Sequence, residues 1–227
     1  MFEEYPKVRS VLPKEYKEIY QKHYMSNREG LSKASWITQK MESWMHKKVA
    51  ADLQNSTKKK KTLEIGAGTL NHLKYEPQTA DYDIVEPFTE LFEKSERKKR
   101  IKNIFTDISQ IPKSQQYERI ISIATLEHLE HLPQVVENVA LLLSENGTFR
   151  VAIPNEGTIL WKLGWKFTSA IEFKLKYKLD YDIIMKHEHL NTANEIEKVL
   201  QYYFRSVKCS VFGISKKFAF YRFYECK

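Results

Sequence analysis

From residue 61 onward, short apolar blocks alternate with amphipathic or polar stretches. Lys61–Glu64 with Ile65, Tyr82–Glu86, Ile104–Phe105, Arg119–Ala124 and Gly147–Ile153 read as strands. Phe88–Lys99, Gln134–Leu143 and Asn194–Tyr203 read as helices, the last with Thr192 near its cap. Val207–Phe212 and Phe218–Glu225 read as two closing strands. The run Ile120-Ile121-Ser122-Ile123 shows no in–out alternation, which predicts a strand buried on both faces. Strands alternating with helices at this spacing predict an α/β fold with a mostly parallel sheet and helices on both faces.

Two regions depart from this rhythm. Residues 13–29 predict a helix with Tyr16, Tyr20 and Tyr24 in one stripe, and residues 35–54 predict another with Trp36, Met41, Trp44, Met45 and Val49 as its buried face. Asn55-Ser56-Thr57 and the lysines from Lys58 to Lys61 form a polar break before the first strand. Residues 158–190 hold Trp161, Trp165, Phe167, Phe173, Tyr177 and Tyr181 interleaved with lysines, where a short connection is the norm. The expected organisation is one domain over 1–227: an N-terminal helical lid (1–57), a core (58–157), a cap insertion (158–190), and a C-terminal helix with closing strands (191–227). No internal repeat is expected.

Composition narrows the function classes. Hydrophobic residues make up 42%, enough to build a core and too many for a disordered chain. No stretch is long and apolar enough for a membrane span, and the N-terminus lacks the basic-then-apolar pattern of a signal peptide. Cys209 and Cys226 are in no metal-type spacing, so reduced thiols and a cytoplasmic location are expected. The net charge of +8 is uneven. Residues 1–62 carry 14 Lys and Arg against 7 Asp and Glu, residues 63–160 carry 10 against 15, and residues 161–227 carry 13 against 7. Basic flanks suit an anionic partner, and they equally suit solvated helix faces.

The chemistry concentrates at predicted strand ends. Thr62-Leu63-Glu64-Ile65-Gly66-Ala67-Gly68-Thr69 runs a strand into a tight turn where glycine allows close backbone approach to a ligand. A nicotinamide-type fingerprint would need a third glycine at position 71, which is Asn71. Glu86 ends the second strand, where a carboxylate can accept both hydroxyls of a ribose. Asp107-Ile108 follows the third strand, and Ala124-Thr125-Leu126-Glu127-His128-Leu129 follows the fourth. In open parallel sheets the carboxyl ends of the strands form the ligand crevice.

In this order and spacing, with Asn146-Gly147-Thr148 and Val151-x-x-Pro154-Asn155, these residues resemble the class I S-adenosylmethionine-dependent methyltransferases over residues 60–155. The resemblance implies a Rossmann-like, seven-stranded sheet and S-adenosylmethionine as cofactor. It implies that Glu64, Gly66, Ala67 and Gly68 lie along the methionine part, that Glu86 holds the ribose, and that Asp107 with Ile108 frames the adenine. Ala124 would adjoin the cofactor, and Arg28 on the N-terminal helix would meet its carboxylate. Asn71 departs from the usual glycine-rich turn.

Within that family the chain is similar to small bacterial enzymes that methylate sugars or small molecules, an assignment carried by Leu126-Glu127-His128, the aromatic insertion, and His187-Glu188-His189-Leu190-Asn191-Thr192. The expected reaction is methyl transfer to a hydroxyl of a sugar, nucleotide-sugar or lipid-linked intermediate, in the service of polysaccharide biosynthesis. His128 is the first candidate base, with Glu127 to orient it and His189 lining the acceptor pocket; His128 as a structural helix cap is the alternative. Alternate histidines can share a face of an extended strand, but His187 and His189 alone do not complete a metal site; no metal is expected, and His187 could join His189 in lining the acceptor pocket. An RNA methyltransferase and a non-catalytic S-adenosylmethionine-binding subunit stay as alternatives. Nucleic acid is not the expected partner, because neither an RNA-binding module nor a base-methylation motif is present.

Overall fold

The apolar blocks pair into a seven-stranded sheet of order β3-β2-β1-β4-β5-β7-β6. The computed structural model describes residues 2–20, 36–54, 58–77, 81–167 and 169–227. The strands are β1 (Thr62–Ile65), β2 (Tyr82–Val85), β3 (Asn103–Phe105), β4 (Tyr117–Ile123), β5 (Leu143–Pro154), β6 (Val207–Gly213) and β7 (Ala219–Cys226). β1 to β5 pair parallel, and β7 runs antiparallel to both β5 and β6. This is the α/β, Rossmann-like arrangement expected from the sequence.

Period-2 geometry splits the core between the two faces of the sheet. Leu63, Ile65, Ile120, Phe149 and Val151 pack on one face, with α2 (Leu132–Leu142) and α6 (Ala193–Tyr203). Ile84, Ile121, Ile123 and Ala152 pack on the other, against Met45 and Val49 of α1 (Trp36–Ala50). Ile120 and Ile121 are both fully buried, as a two-sided central strand requires. Thr192 caps α6 in a reciprocal box with Glu195.

Two buried arginines fix α1 to the sheet. Arg150 Nε and Nη2 donate to the Val49 and Lys48 carbonyls (2.8 and 2.7 Å), and Arg119 Nη2 donates to Val49 (2.9 Å). Both guanidiniums therefore satisfy carbonyls at the end of a helix, where no intrahelical donor is available. Arg119 also forms a two-pronged pair with Glu76 (2.8 and 3.1 Å).

Residues 158–190 form three short helices: α3 (Ile159–Phe167), α4 (Ser169–Tyr177) and α5 (Tyr181–Glu188). Phe173 and Ile184 bury against Leu12 and Tyr16. Phe173, Tyr177 and Tyr181 of the insertion thus share a small satellite core with the N-terminal region, of which residues 14–20 are helical.

Two expectations are corrected. Phe88–Lys99 is not a helix; it forms two 3₁₀ turns, Thr89–Leu91 and Glu96–Arg100, because Ser95 caps a fresh turn at Arg97 and interrupts the register. His187 and His189 are not on an extended strand: the first is in the last turn of α5 and the second caps it. The predicted 13–29 helix lies partly outside the described residues, and Tyr24 and Arg28 lie wholly outside them.

Candidate functional site

The carboxyl ends of β1 to β4 open into one cleft of about 1030 Å³. Glu64, Gly66, Ala67, Gly68, Glu86, Asp107, Ile108 and Ala124 all line it, as do His128 and His189. Glu127 does not: it lies buried behind His128, 2% exposed.

The turn after β1 owes its shape to left-handed residues at 66, 68 and 70 (φ 74°, 51° and 61°). The third is Leu70, fully buried, so an anchored apolar side chain ends the turn just before Asn71, the position that departs from the expected glycine pattern and lines the cleft. A Cβ on Gly66 would fall 2.3 Å from Thr125 Oγ1, so glycine there lets the β1 and β4 loops touch. A Cβ on Gly68 would meet nothing within 4 Å. The two glycines serve different ends: one for loop contact, the other for its backbone torsion beside open space.

Glu86 is aimed by the backbone. Gly68 N–H donates to Oε2 (2.7 Å) and Phe88 N–H to Oε1 (3.0 Å), which leaves lone pairs on both oxygens for a vicinal diol. Asp107 accepts from Ser109 N–H (2.8 Å), and the hydrogen bonds from Ser109 hold its carboxyl below the usual range. Glu64 accepts from the Tyr82 hydroxyl (2.8 Å), and burial pushes its pKa up to about 8. The bare glycine turn and the doubly held Glu86 fit the cofactor implied by the resemblance.

The second half of the cleft holds histidines and carboxylates. His128 Nδ1 lies 2.8 Å from the Glu188 carbonyl. A carbonyl only accepts, so Nδ1 carries a proton, and in the neutral ring Nε2 carries the lone pair. Nε2 lies 3.7 Å from Glu127 Oε1, while Glu127 Oε2 is buried with no hydrogen-bond partner among the described residues. Burial pushes the Glu127 pKa up to about 7. The His189 ring sits edge-on to His128, centroids 5.0 Å apart, and its Nδ1 pairs with Glu156 Oε2 at 2.7 Å. Burial alone would lower His189, but the hydrogen bond to Glu156 and the charges of Glu127, Glu156 and Glu188 outweigh it and raise the pKa. His187 also lines the cleft, its Nδ1 2.6 Å from the Ser10 carbonyl. Among the described residues, no three His, Cys, Asp or Glu side chains are placed to hold a metal ion.

A second cavity of about 320 Å³ adjoins the cleft at His189, lined by Glu156, Ile159, Lys162, Trp165, Met185 and Lys186 among others.

Several residues of the cleft were not foreseen from the sequence. Glu156 follows β5, so the strand-end rule that found His128 would also have found it. Arg9 had no such signal: it donates to the carbonyls of His128 (2.6 Å) and His187 (3.0 Å) from an N-terminal segment that crosses the site. Tyr5 and Lys7 of that segment bind Asn191 (2.9 Å) and Glu195 (2.6 Å). His46 of α1 and His72 also line the cleft, their Nδ1 atoms 3.0 Å apart, with His72 Nε2 on Glu76 (2.5 Å). Burial, reinforced by His72 and the Lys74 ammonium, brings the His46 pKa down to about 3.

Comparisons with known proteins agree with this geometry. Residues 37–202 match the family described as a methyltransferase domain. No curated protein matches the chain in sequence. Among solved structures, the plantazolicin methyltransferase BpumL in complex with a pentazolic desmethylPZN analog and S-adenosylhomocysteine (SAH) aligns over 94% of this chain and 93% of its own at 15% identity, TM-score 0.65. A SAM-dependent methyltransferase from Thermotoga maritima, a possible histamine N-methyltransferase, aligns over 93% and 97% at 13% identity, TM-score 0.58. The N-methyltransferase NodS from Bradyrhizobium japonicum WM9, in complex with SAH, aligns over 86% and 89% at 12% identity, TM-score 0.56. This chain belongs to the methyltransferase-domain family, as a class I S-adenosylmethionine-dependent methyltransferase.

Proposed function

We propose that the enzyme methylates a hydroxyl of a small, anionic acceptor, such as a sugar, nucleotide-sugar or lipid-linked intermediate, with His128 as general base. The observation that carries this reading is the fixed His128 tautomer. Its Nδ1–H is committed to the Glu188 carbonyl, so the lone pair sits on Nε2, at the end of β4 beside the glycine turn. A hydroxyl acceptor needs such a base; an amine that is already neutral does not.

S-adenosylmethionine supplies an electrophilic methyl on a sulfonium leaving group. Glu86 would hold its ribose, Asp107 and Ile108 its adenine, and Glu64, Gly66, Ala67 and Gly68 its methionine part, with Ala124 adjoining and Arg28 as the proposed carboxylate partner. The chain's own work is alignment and proton removal. With the cofactor supplying the methyl and a thioether leaving group, the acceptor hydroxyl would give up its proton to His128 Nε2. Glu127 stabilises the imidazolium so formed. His189 lines the acceptor path, and Lys162 and Lys186 at the smaller cavity favour a phosphorylated acceptor. Residues 1–57 would then act as a lid and residues 158–190 as a cap.

Replacing His128 with Ala should leave SAH affinity unchanged and lower turnover by roughly 10²–10⁴-fold. Unchanged turnover on an acceptor found by screening phosphorylated sugars would return His128 to a structural role. Gly66→Val tests the cofactor half. It forces a branched side chain onto Thr125 at a positive φ, and calorimetry should show SAH binding lost. A folded Gly66→Val protein that binds SAH normally would mean the cofactor sits elsewhere.

A further inference from the structure

Residues 158–178 carry an eight-residue pattern twice, against the expectation of no repeat. Ile159-Leu160-Trp161-Lys162-Leu163-Gly164-Trp165-Lys166 and Ile171-Glu172-Phe173-Lys174-Leu175-Lys176-Tyr177-Lys178 share Ile, aromatic, Lys, Leu, aromatic and Lys at the same positions. At 3.6 residues per turn, the Ile, Leu and two Lys of each octad fall within an arc of about 100°, and the two aromatics lie across the helix from it. The structure keeps this division on both helices.

The aromatics turn inward. Phe173 is buried, and Tyr177 packs on it at 4.8 Å between centroids. Trp161 meets Tyr221 at 5.5 Å, and Trp165 meets Tyr181 at 5.9 Å. The aliphatics turn outward: Ile159 is 80% exposed, Leu163 44%, Ile171 48% and Leu175 79%. Lys162, Lys166, Lys174 and Lys178 are exposed beside them. The β6–β7 hairpin abuts α3, since a Cβ on Gly164 would sit 3.0 Å from the Phe220 ring, and its tip exposes Ile214 and Phe218.

We propose that this paired aliphatic and lysine face of α3 and α4 docks on an anionic lipid bilayer surface. Helices that lie in a membrane interface combine apolar side chains with flanking lysines whose stems reach back to the headgroups. Nucleic acid fits less well, because base stacking needs exposed aromatic rings and here the rings are turned inward. A second copy of the chain fits less well too, because a two-fold interface would oppose one set of lysines to the same set. A lipid surface offers uniform negative charge beneath both octads, together with an apolar layer for Ile159, Leu163, Ile171 and Leu175. The smaller cavity shares Ile159 and Lys162 with this face, so docking brings its mouth to the headgroups.

The test is co-sedimentation of the full chain with phosphatidylcholine vesicles, with and without phosphatidylglycerol. Binding should require phosphatidylglycerol and weaken with salt. Lys166→Glu with Lys174→Glu should weaken it by at least about fivefold per lysine. Leu163→Ser with Leu175→Ser should weaken it at unchanged charge, and both double variants should keep the wild-type thermal unfolding. No sedimentation of folded protein with phosphatidylglycerol vesicles overturns the proposal, as does sedimentation that neither double variant reduces. A dimer in light scattering that the leucine variant splits, without vesicle binding, assigns the face to self-association instead. An RNA gel shift that the lysine variant abolishes, again without vesicle binding, assigns it to RNA.

Discussion

Two histidine pairs line the same cleft, and His46 and His189, one from each, are set in opposite directions. Burial depresses both His46 and His72: at His46 the charges of His72 and Lys74 add to it, and at His72 it prevails over the hydrogen bond and charge of Glu76. His128 and His189 sit among Glu127, Glu156 and Glu188, and His189 is raised although it too is buried. Burial pushes each of these histidines down; at His72 it prevails over Glu76 and Asp52, whereas at His189 the Glu156 hydrogen bond and three carboxylate charges prevail over it. One side of the cleft therefore holds histidines that favour the neutral form, and the other a histidine that favours its protonated form.

The largest way to break this contrast is Glu76→Ala. It strips the carboxylate from buried Arg119 and the acceptor from His72, and the uncompensated charge should cost about 3–5 kcal/mol in urea unfolding. A loss below about 1 kcal/mol would mean that Glu76 does not organise that side. Next is His46→Gln. The folded pKa of His46 lies near 3, below the unfolded value, so acid protonates the unfolded chain first. The wild type should therefore lose about 2 kcal/mol more than the variant between pH 7 and pH 5. Parallel stability profiles would refute a neutral His46. The smallest effect is expected from Glu156→Gln on the opposite side. With its main partner gone, burial should win at His189, and its NMR titration should shift down by about one unit. The raised pKa of His189 gives stability that is full below its unfolded value and lost as pH rises through the folded one. The variant's deficit should therefore be greater at pH 6 than at pH 9. A His189 titration that stays put would remove Glu156 as its partner.

The sequence revealed the apolar side of this architecture far better than the charged one. β4 could be read because Ile120 and Ile121 face opposite cores and leave no polar alternation. α6 could be read because Thr192 and Glu195 cap it within four residues of chain. Arg119 could not, because its partners Asp52 and Glu76 lie 67 and 43 residues away, and no local pattern records a pairing that the fold creates. Phe88–Lys99 misled for the converse reason: its charges repeat like a helix surface, but Ser95 restarts the turn. At the site, strand-end position pointed to Glu86, Asp107 and His128, while Arg9 and Glu188 reach the cleft only through tertiary contacts. The octads of α3 and α4 were visible in principle, but their meaning depends on which face is buried.

The N-terminal segment has a consequence for how the site comes into being. Tyr5, Lys7 and Arg9 find their partners across the site, and the Tyr5–Asn191 contact spans 186 positions. Such distant closures form late, after local helices and neighbouring strands have paired. During synthesis, residues 5–9 must wait in the open until residues 187–195 have emerged and folded. The carbonyls of His128 and His187 that Arg9 binds thus gain this donor only after most of the chain has been made, so the histidine side of the cleft is completed late.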